Sequence, residues 1–137
     1  MATSKISDLM IEPVKVTPDM DIYAAAHEIL VNQVSGVTVV DENDQLVGVL
    51  SELDCLRAIV TAVYNGGDPG GALVGDMMTT NVDSNSPDED VITVAKSMLE
   101  TKHRRRPVLE NGELKGQLTC RQILKAVTEM AETKETK

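Results

Sequence analysis

"LVGVLSELDCLRAI" (46–59) and "LKGQLTCRQILKAV" (114–127) are one passage written twice. Each begins as a short apolar strand containing a glycine and reaches Ser51 or Thr119. Three residues later comes Asp54 or Gln122, after which an apolar helix continues. The repetition extends outward. "TPDMDIYAAAHEIL" (17–30) matches "SPDEDVITVAKSML" (86–99), and "SDLM" (7–10) matches "GDMM" (75–78). The offset is 68 residues at both ends and 69 in the middle, so the chain holds two copies of one small unit, with a period too long for a solenoid.

Both copies read alike. A Pro-Asp turn leads to a helix whose apolar stripe is Ile22, Ala25, Ala26, Ile29, Leu30 in the first and Val91, Val94, Ala95, Met98, Leu99 in the second. Two short strands follow, Val37–Val40 and Leu46–Leu50, then Pro107–Leu109 and Leu114–Leu118. They are joined by "DENDQ" in one copy and by the Asn-Gly of "ENGE" in the other. The closing helices are expected to turn inward Leu53, Leu56, Ile59, Val60 and Val63, and Ile123, Leu124, Val127 and Met130. Extended segments near Val14–Val16 and Val82–Ser84 precede the first helices. The fold class is thus α+β, two tandem β-α-β-β-α repeats, with residues 5–64 as repeat 1 and 73–130 as repeat 2. The glycine-rich stretch 65–72 reads as a linker, since no Gly-Lys-Ser/Thr follows it; residues 131–137 read as a flexible tail.

Composition narrows the function. The hydrophobic fraction is 42%, yet there is no Phe or Trp and only two Tyr, so aromatic stacking on bases has no residues to use. A net charge of −9 argues against duplex nucleic acid. Cys55 and Cys120 make no secreted-type framework. With no charged-then-apolar leader and no run near the ~20 apolar residues of a membrane span, the expected setting is soluble and cytoplasmic. The charge is uneven: residues 1–73 hold three basic and eleven acidic side chains, residues 74–137 ten and eleven. Much of the positive charge sits in "KHRRRPV" (102–108).

The duplicated β-α-β-β-α unit, closed in its first copy by "GVLSELD", resembles the tandem cystathionine-β-synthase (CBS) domain pair, or Bateman module, over about residues 5–130. The resemblance implies two repeats packed about a pseudo-two-fold axis, two clefts each lined by both repeats, and dimerisation. It also implies a regulatory module rather than an enzyme. Many members bind adenine nucleotides, some bind S-adenosyl ligands, and others have no known ligand.

The family's ribose-binding pattern, Gly-x-apolar-Ser/Thr-x-x-Asp, stands here as Gly48 to Asp54. A carboxylate can accept from both ribose hydroxyls. The same Ser51 and Asp54 also form a helix capping box, and the two roles are compatible. In the second copy Gln122 replaces the aspartate, which weakens that copy as a ribose site. By resemblance, Arg104 and Arg105 reach phosphate in the cleft that uses Asp54, helped by Arg121 at the turn opening the last helix. The competing reading is a solvated charged edge paired with Glu100 or Glu110. Arg106 is expected to point away from Arg105 by strand alternation. The first copy offers only Ser35, Gly36, Val37 and Thr38 at these positions, so the cleft with Gln122 also lacks cations. Asn81, Val82 and Asp83 match the family's adenine-contacting segment, or pack simply as a strand. His27 reads as helix surface and His103 as cleft rim, and neither joins a cysteine at metal-ligand spacing.

Three functions compete. The first is a sensor of AMP, ADP or ATP that signals in trans to an enzyme or transporter. The second is a ligand-free homodimerisation scaffold. A nucleotide hydrolase is third, having no activated base or metal ligands beside its arginines.

Overall fold

The computed structural model describes residues 5–67 and 71–135. Asp68, Pro69 and Gly70 of the glycine-rich linker, and the last two residues of the expected tail, lie outside the described residues. The two repeats fold as expected in class: a three-stranded sheet with helices, and a two-stranded sheet with helices.

In the first, β1 (Lys15–Val16) runs parallel to β2 (Gly36–Val40), which pairs antiparallel with β3 (Leu46–Ser51). The connecting helix α1 (Ile22–Asn32) starts where the Asp21 carboxylate accepts from the Ala24 amide at 2.8 Å. It stops at Gln33, which takes a left-handed conformation with φ 55°. In the second, β4 (Arg105–Glu110) and β5 (Glu113–Thr119) form the hairpin, turning through Asn111 and Gly112 at φ 55° and 81°. Positive φ at both positions is what a two-residue Asn-Gly turn requires. The counterpart of β1 is reduced to one residue: Asn85 bridges Val108 in parallel, its amide donating to Pro107 at 3.0 Å. Helix α4 (Val91–Thr101) is capped by Asp90, as α1 is by Asp21. Each such cap contributes about 0.5–2 kcal/mol.

Three expectations about helix faces need correction. Leu30 is 74% exposed and Leu99 78%, although both stand on the expected stripes of α1 and α4. An eight-residue step lands about 80° from the first position, at the stripe's edge, and only the narrow rows Ile22–Ala25–Ile29 and Val91–Val94–Met98 are buried. In α2 (Glu52–Tyr64) the larger error appears. Leu53, Leu56, Val60 and Val63 are exposed, while Cys55 is buried with Ala58 and Ile59 packed against the same core. This helix carries two apolar stripes, and the one with small side chains lies against the sheet. In α5 (Cys120–Glu135), Ile123 and Ala126 are buried, Val127 and Met130 pack against them, and Leu124 is exposed. The helix continues through Glu135, beyond Met130 where the tail was expected to begin.

The compact units are offset from the repeats. One comprises the described residues up to Glu12 together with Asp83 onward; the other is Pro13–Val82. Within the second, α3 (Val74–Met77) and the strand-like Thr79 belong with the first repeat, and Val49 and Thr79 exchange backbone bonds of 3.0 and 2.9 Å. Within the first, Ile11 and Gln117 do the same, each at 2.9 Å. Each unit therefore combines most of one repeat with the opening segment of the other.

This explains the repeated glycine. A Cβ on Gly48 would lie 2.7 Å from Met78 Sδ and 2.8 Å from the Thr79 carbonyl; on Gly116 its three nearest atoms would all belong to the Met10 side chain, from 2.7 Å. Gly48→Ala is expected to cost about 1–3 kcal/mol in urea unfolding, because the bridged Thr79 backbone cannot retreat. Gly116→Ala is expected to cost less, since a methionine can change rotamer. Equal losses would contradict the backbone explanation.

Candidate functional site

In the Pro13–Val82 unit, Ser51 and Asp54 form a reciprocal capping box at the start of α2. Ser51 Oγ accepts from the Asp54 amide at 3.1 Å, and Asp54 Oδ2 accepts from the Ser51 amide at 2.9 Å. Arg57 Nη1 approaches Asp54 Oδ1 at 3.5 Å, and the aspartate side chain stays 19% exposed. One carboxylate oxygen is thus committed to the helix start, and the other faces a long, mostly solvated cation. Asn81 and Val82 close this unit without regular structure, Asn81 exposed and Val82 half-buried.

The other unit gathers the cations. Arg104 is exposed and Arg105 half-buried at the start of β4. Arg105 pairs across the hairpin with Thr119, and the Cys120 amide donates to the Arg104 carbonyl at 2.8 Å. That bond fastens the turn carrying exposed Arg121 to the residue just before β4. Arg104, Arg105 and Arg121 therefore share one end of the hairpin, at the N-terminus of a 16-residue helix. No acidic residue stands in that helix's first turn, whereas α2 has Glu52 and Asp54 there. Among the described residues Arg104 and Arg121 have no carboxylate partner, so neither pairs with Glu100 or Glu110. A helix N-terminus carries partial positive charge, and a cation there opposes it by about 0.3–1 kcal/mol. The arrangement favours an incoming anion. At the equivalent end of the first repeat the Glu52 amide donates to Ser35 and Gly36 pairs with Ser51, with no cation among these residues.

Gln122 stands where Asp54 does, at the start of the closing helix. Its Oε1 accepts from the Thr119 amide at 3.0 Å and from the Thr119 hydroxyl. Asp83 opens the arginine-bearing unit and its carboxylate lies 3.8 Å from His103 Nδ1.

Sequence reasoning missed a cluster. Arg106 does point away from Arg105, and it is 2% exposed, with its guanidinium bonded to His103, Asn85, Ser97 and Thr101. The signal was present in the duplication. Arg106 pairs with Leu118 as Val37 pairs with Leu50, and Asn85 meets Val108 as Val16 meets Val39. Two buried valines of one repeat are a hydrogen-bonded Asn–Arg pair in the other.

Cys55 has a displaced ionisation. Burial pushes its thiol up, and the neighbouring Asp54 charge adds to that. Less thiolate at a given pH means slower alkylation. Native protein is expected to lose one thiol quickly to iodoacetamide, exposed Cys120, and Cys55 only on unfolding. Two thiols reacting at equal rates would contradict the burial.

No described helix is long and apolar enough to cross a membrane. The chain belongs to the CBS domain family, whose pattern matches residues 6–61 and again 74–129. It is 29% identical over 105 residues to an uncharacterized protein of Methanocaldococcus jannaschii, covering 77% of this chain and 36% of that one. It is 32% identical over 124 residues to inosine-5′-monophosphate dehydrogenase of Halalkalibacterium halodurans, covering 88% and 24%. The chain thus spans about a third and a quarter of the lengths of these two relatives. Among solved structures it is similar to CBSX2 in complex with AMP, with a TM-score of 0.81 and 29% identity over 93% of this chain and 98% of that one.

Proposed function

We propose that this chain is a regulatory module that binds an adenine nucleotide and acts in trans on a partner enzyme or transporter, without a reaction of its own. The observation that carries the reading is the arginine trio at the N-terminus of α5, whose first turn holds no acidic residue. Phosphate is the natural complement of that charge, and the AMP held by CBSX2 supports an adenosine-type ligand. By the resemblance of the sequence, phosphate falls to Arg104, Arg105 and Arg121, ribose to Asp54 and Ser51, and adenine to Asn81, Val82 and Asp83. AMP, ADP and ATP all carry the required group. An S-adenosyl ligand is the weaker candidate, because its sulfonium would add a cation to three already present.

Each chain binds one nucleotide. Gln122 offers no charge to a ribose, and Ser35 and Gly36 offer none to a phosphate. The exposed row Leu53, Leu56, Val60 and Val63 on α2 is covered by a second copy in this reading, giving a homodimer. Sedimentation equilibrium with AMP tests both statements, since a chain with no Trp and two Tyr leaves 260 nm to the nucleotide. The expected result is twice the 14.8 kDa chain mass with one AMP per chain. A monomer would remove the dimer, two AMP per chain the asymmetry, and no AMP the sensor, leaving a scaffold.

A further inference from the structure

Burying a guanidinium is costly unless its donors are met. Each of the three Arg106 nitrogens finds an acceptor, with no carboxylate among them. Nε donates to His103 Nδ1 at 2.8 Å, Nη1 to Asn85 Oδ1 at 3.1 Å, and Nη2 to Ser97 Oγ and Thr101 Oγ1, both at 3.0 Å. Carboxylates stand one step away: Glu89 accepts from Asn85 Nδ2 at 3.1 Å, and Asp83 lies 3.8 Å from His103. The first repeat fills the same place with Val37, so the fold itself does not require a charge here.

What the arginine does that a valine cannot is hold four side chains, from three stretches of chain, to the start of β4. Ser97 and Thr101 are the last turns of α4, His103 follows its left-handed end at Lys102, and Asn85 is the remnant strand. All of them converge on the residue next to Arg104 and Arg105. We infer that Arg106 is a positioning residue, which locks the backbone that presents Arg104 and Arg105 to phosphate without touching the ligand. The inference rests on the nucleotide reading for its consequence, though not for its geometry. It also assigns the proton on the neutral His103 ring to Nε2, since Nδ1 accepts.

The test uses the full chain with Arg106→Met, which keeps volume and is apolar like Val37, and Arg106→Lys, which keeps charge and loses the planar fork. Both variants are expected to bind adenosine within about twofold of wild type and AMP about tenfold more weakly, as misplaced ligand groups require. In ligand-free protein, hydrogen exchange at the His103 and Cys120 amides is expected to quicken while α2 amides keep their protection. The wild-type His103 Nδ1 is expected to show the nitrogen shift of an unprotonated acceptor. Equal losses of AMP and adenosine affinity, or unchanged affinity with unchanged exchange, would overturn the role. If wild type prefers neither AMP nor adenosine, the nucleotide reading fails, and the exchange data decide the lock alone. If the methionine variant does not fold, the lysine variant carries the same readouts.

Discussion

Protein in which Arg104 and Arg105 are both replaced by glutamine is expected to bind AMP no better than adenosine. Glutamine keeps a polar stem and removes the charge. Each charge-assisted bond to phosphate contributes about 1.5–3 kcal/mol, so losing two weakens AMP by about a hundredfold or more. Adenosine has no phosphate and is expected to lose little. In wild type, rising salt is expected to weaken AMP binding and leave adenosine nearly unaffected, because screening acts on the exposed Arg104 and Arg121. Calorimetric titrations at two ionic strengths read both effects. An unchanged preference for AMP in the folded double variant would return the arginines to a solvated edge.

Asp54→Ala is expected to lose affinity by about ten- to a hundredfold, the worth of a charge-assisted bond to ribose hydroxyls. The capping box makes this substitution two experiments at once. Asp54 Oδ2 also receives the Ser51 amide, so alanine is expected to cost about 1 kcal/mol of stability as well. Asp54→Asn separates the two roles. Its amide oxygen can still accept from Ser51, so urea unfolding is expected to change little, while the missing charge still weakens nucleotide binding. The Cys55 thiol offers an internal control: removing the Asp54 charge lets it ionise at lower pH, while burial, the larger cause, remains. An Asp54→Asn protein with wild-type affinity would leave Asp54 as a capping residue alone.

The duplication, the helix starts and the hairpins were legible because their signals are local. Asp21 and Asp90 cap helices within three residues of themselves, and Asn111–Gly112 turns a hairpin with its own φ values. Ser51 and Asp54 were legible in the same way, as a capping box that the structure contains. The arginine-rich run was visible as charge and the resemblance joined Arg121 to it; the Cys120 to Arg104 bond is the contact that does so in the fold.

Where one helix carried two apolar faces, periodicity had no means to choose. Tertiary packing did, laying Cys55, Ala58 and Ile59 against the sheet and leaving Leu53, Leu56, Val60 and Val63 outside. The partition of the chain was equally non-local: Met78 and Met10 settle against Gly48 and Gly116, so each repeat closes with the other's leading segment. Arg106 is the sharpest case. As a letter in "HRRRPV" it is one of three alike, and strand alternation turns it inward. Only the folded unit supplies the four acceptors, from Asn85, Ser97, Thr101 and His103, that let a guanidinium stay where the other repeat buries a valine. A buried charge is tolerated by its partners, and those partners are neighbours in space rather than in sequence.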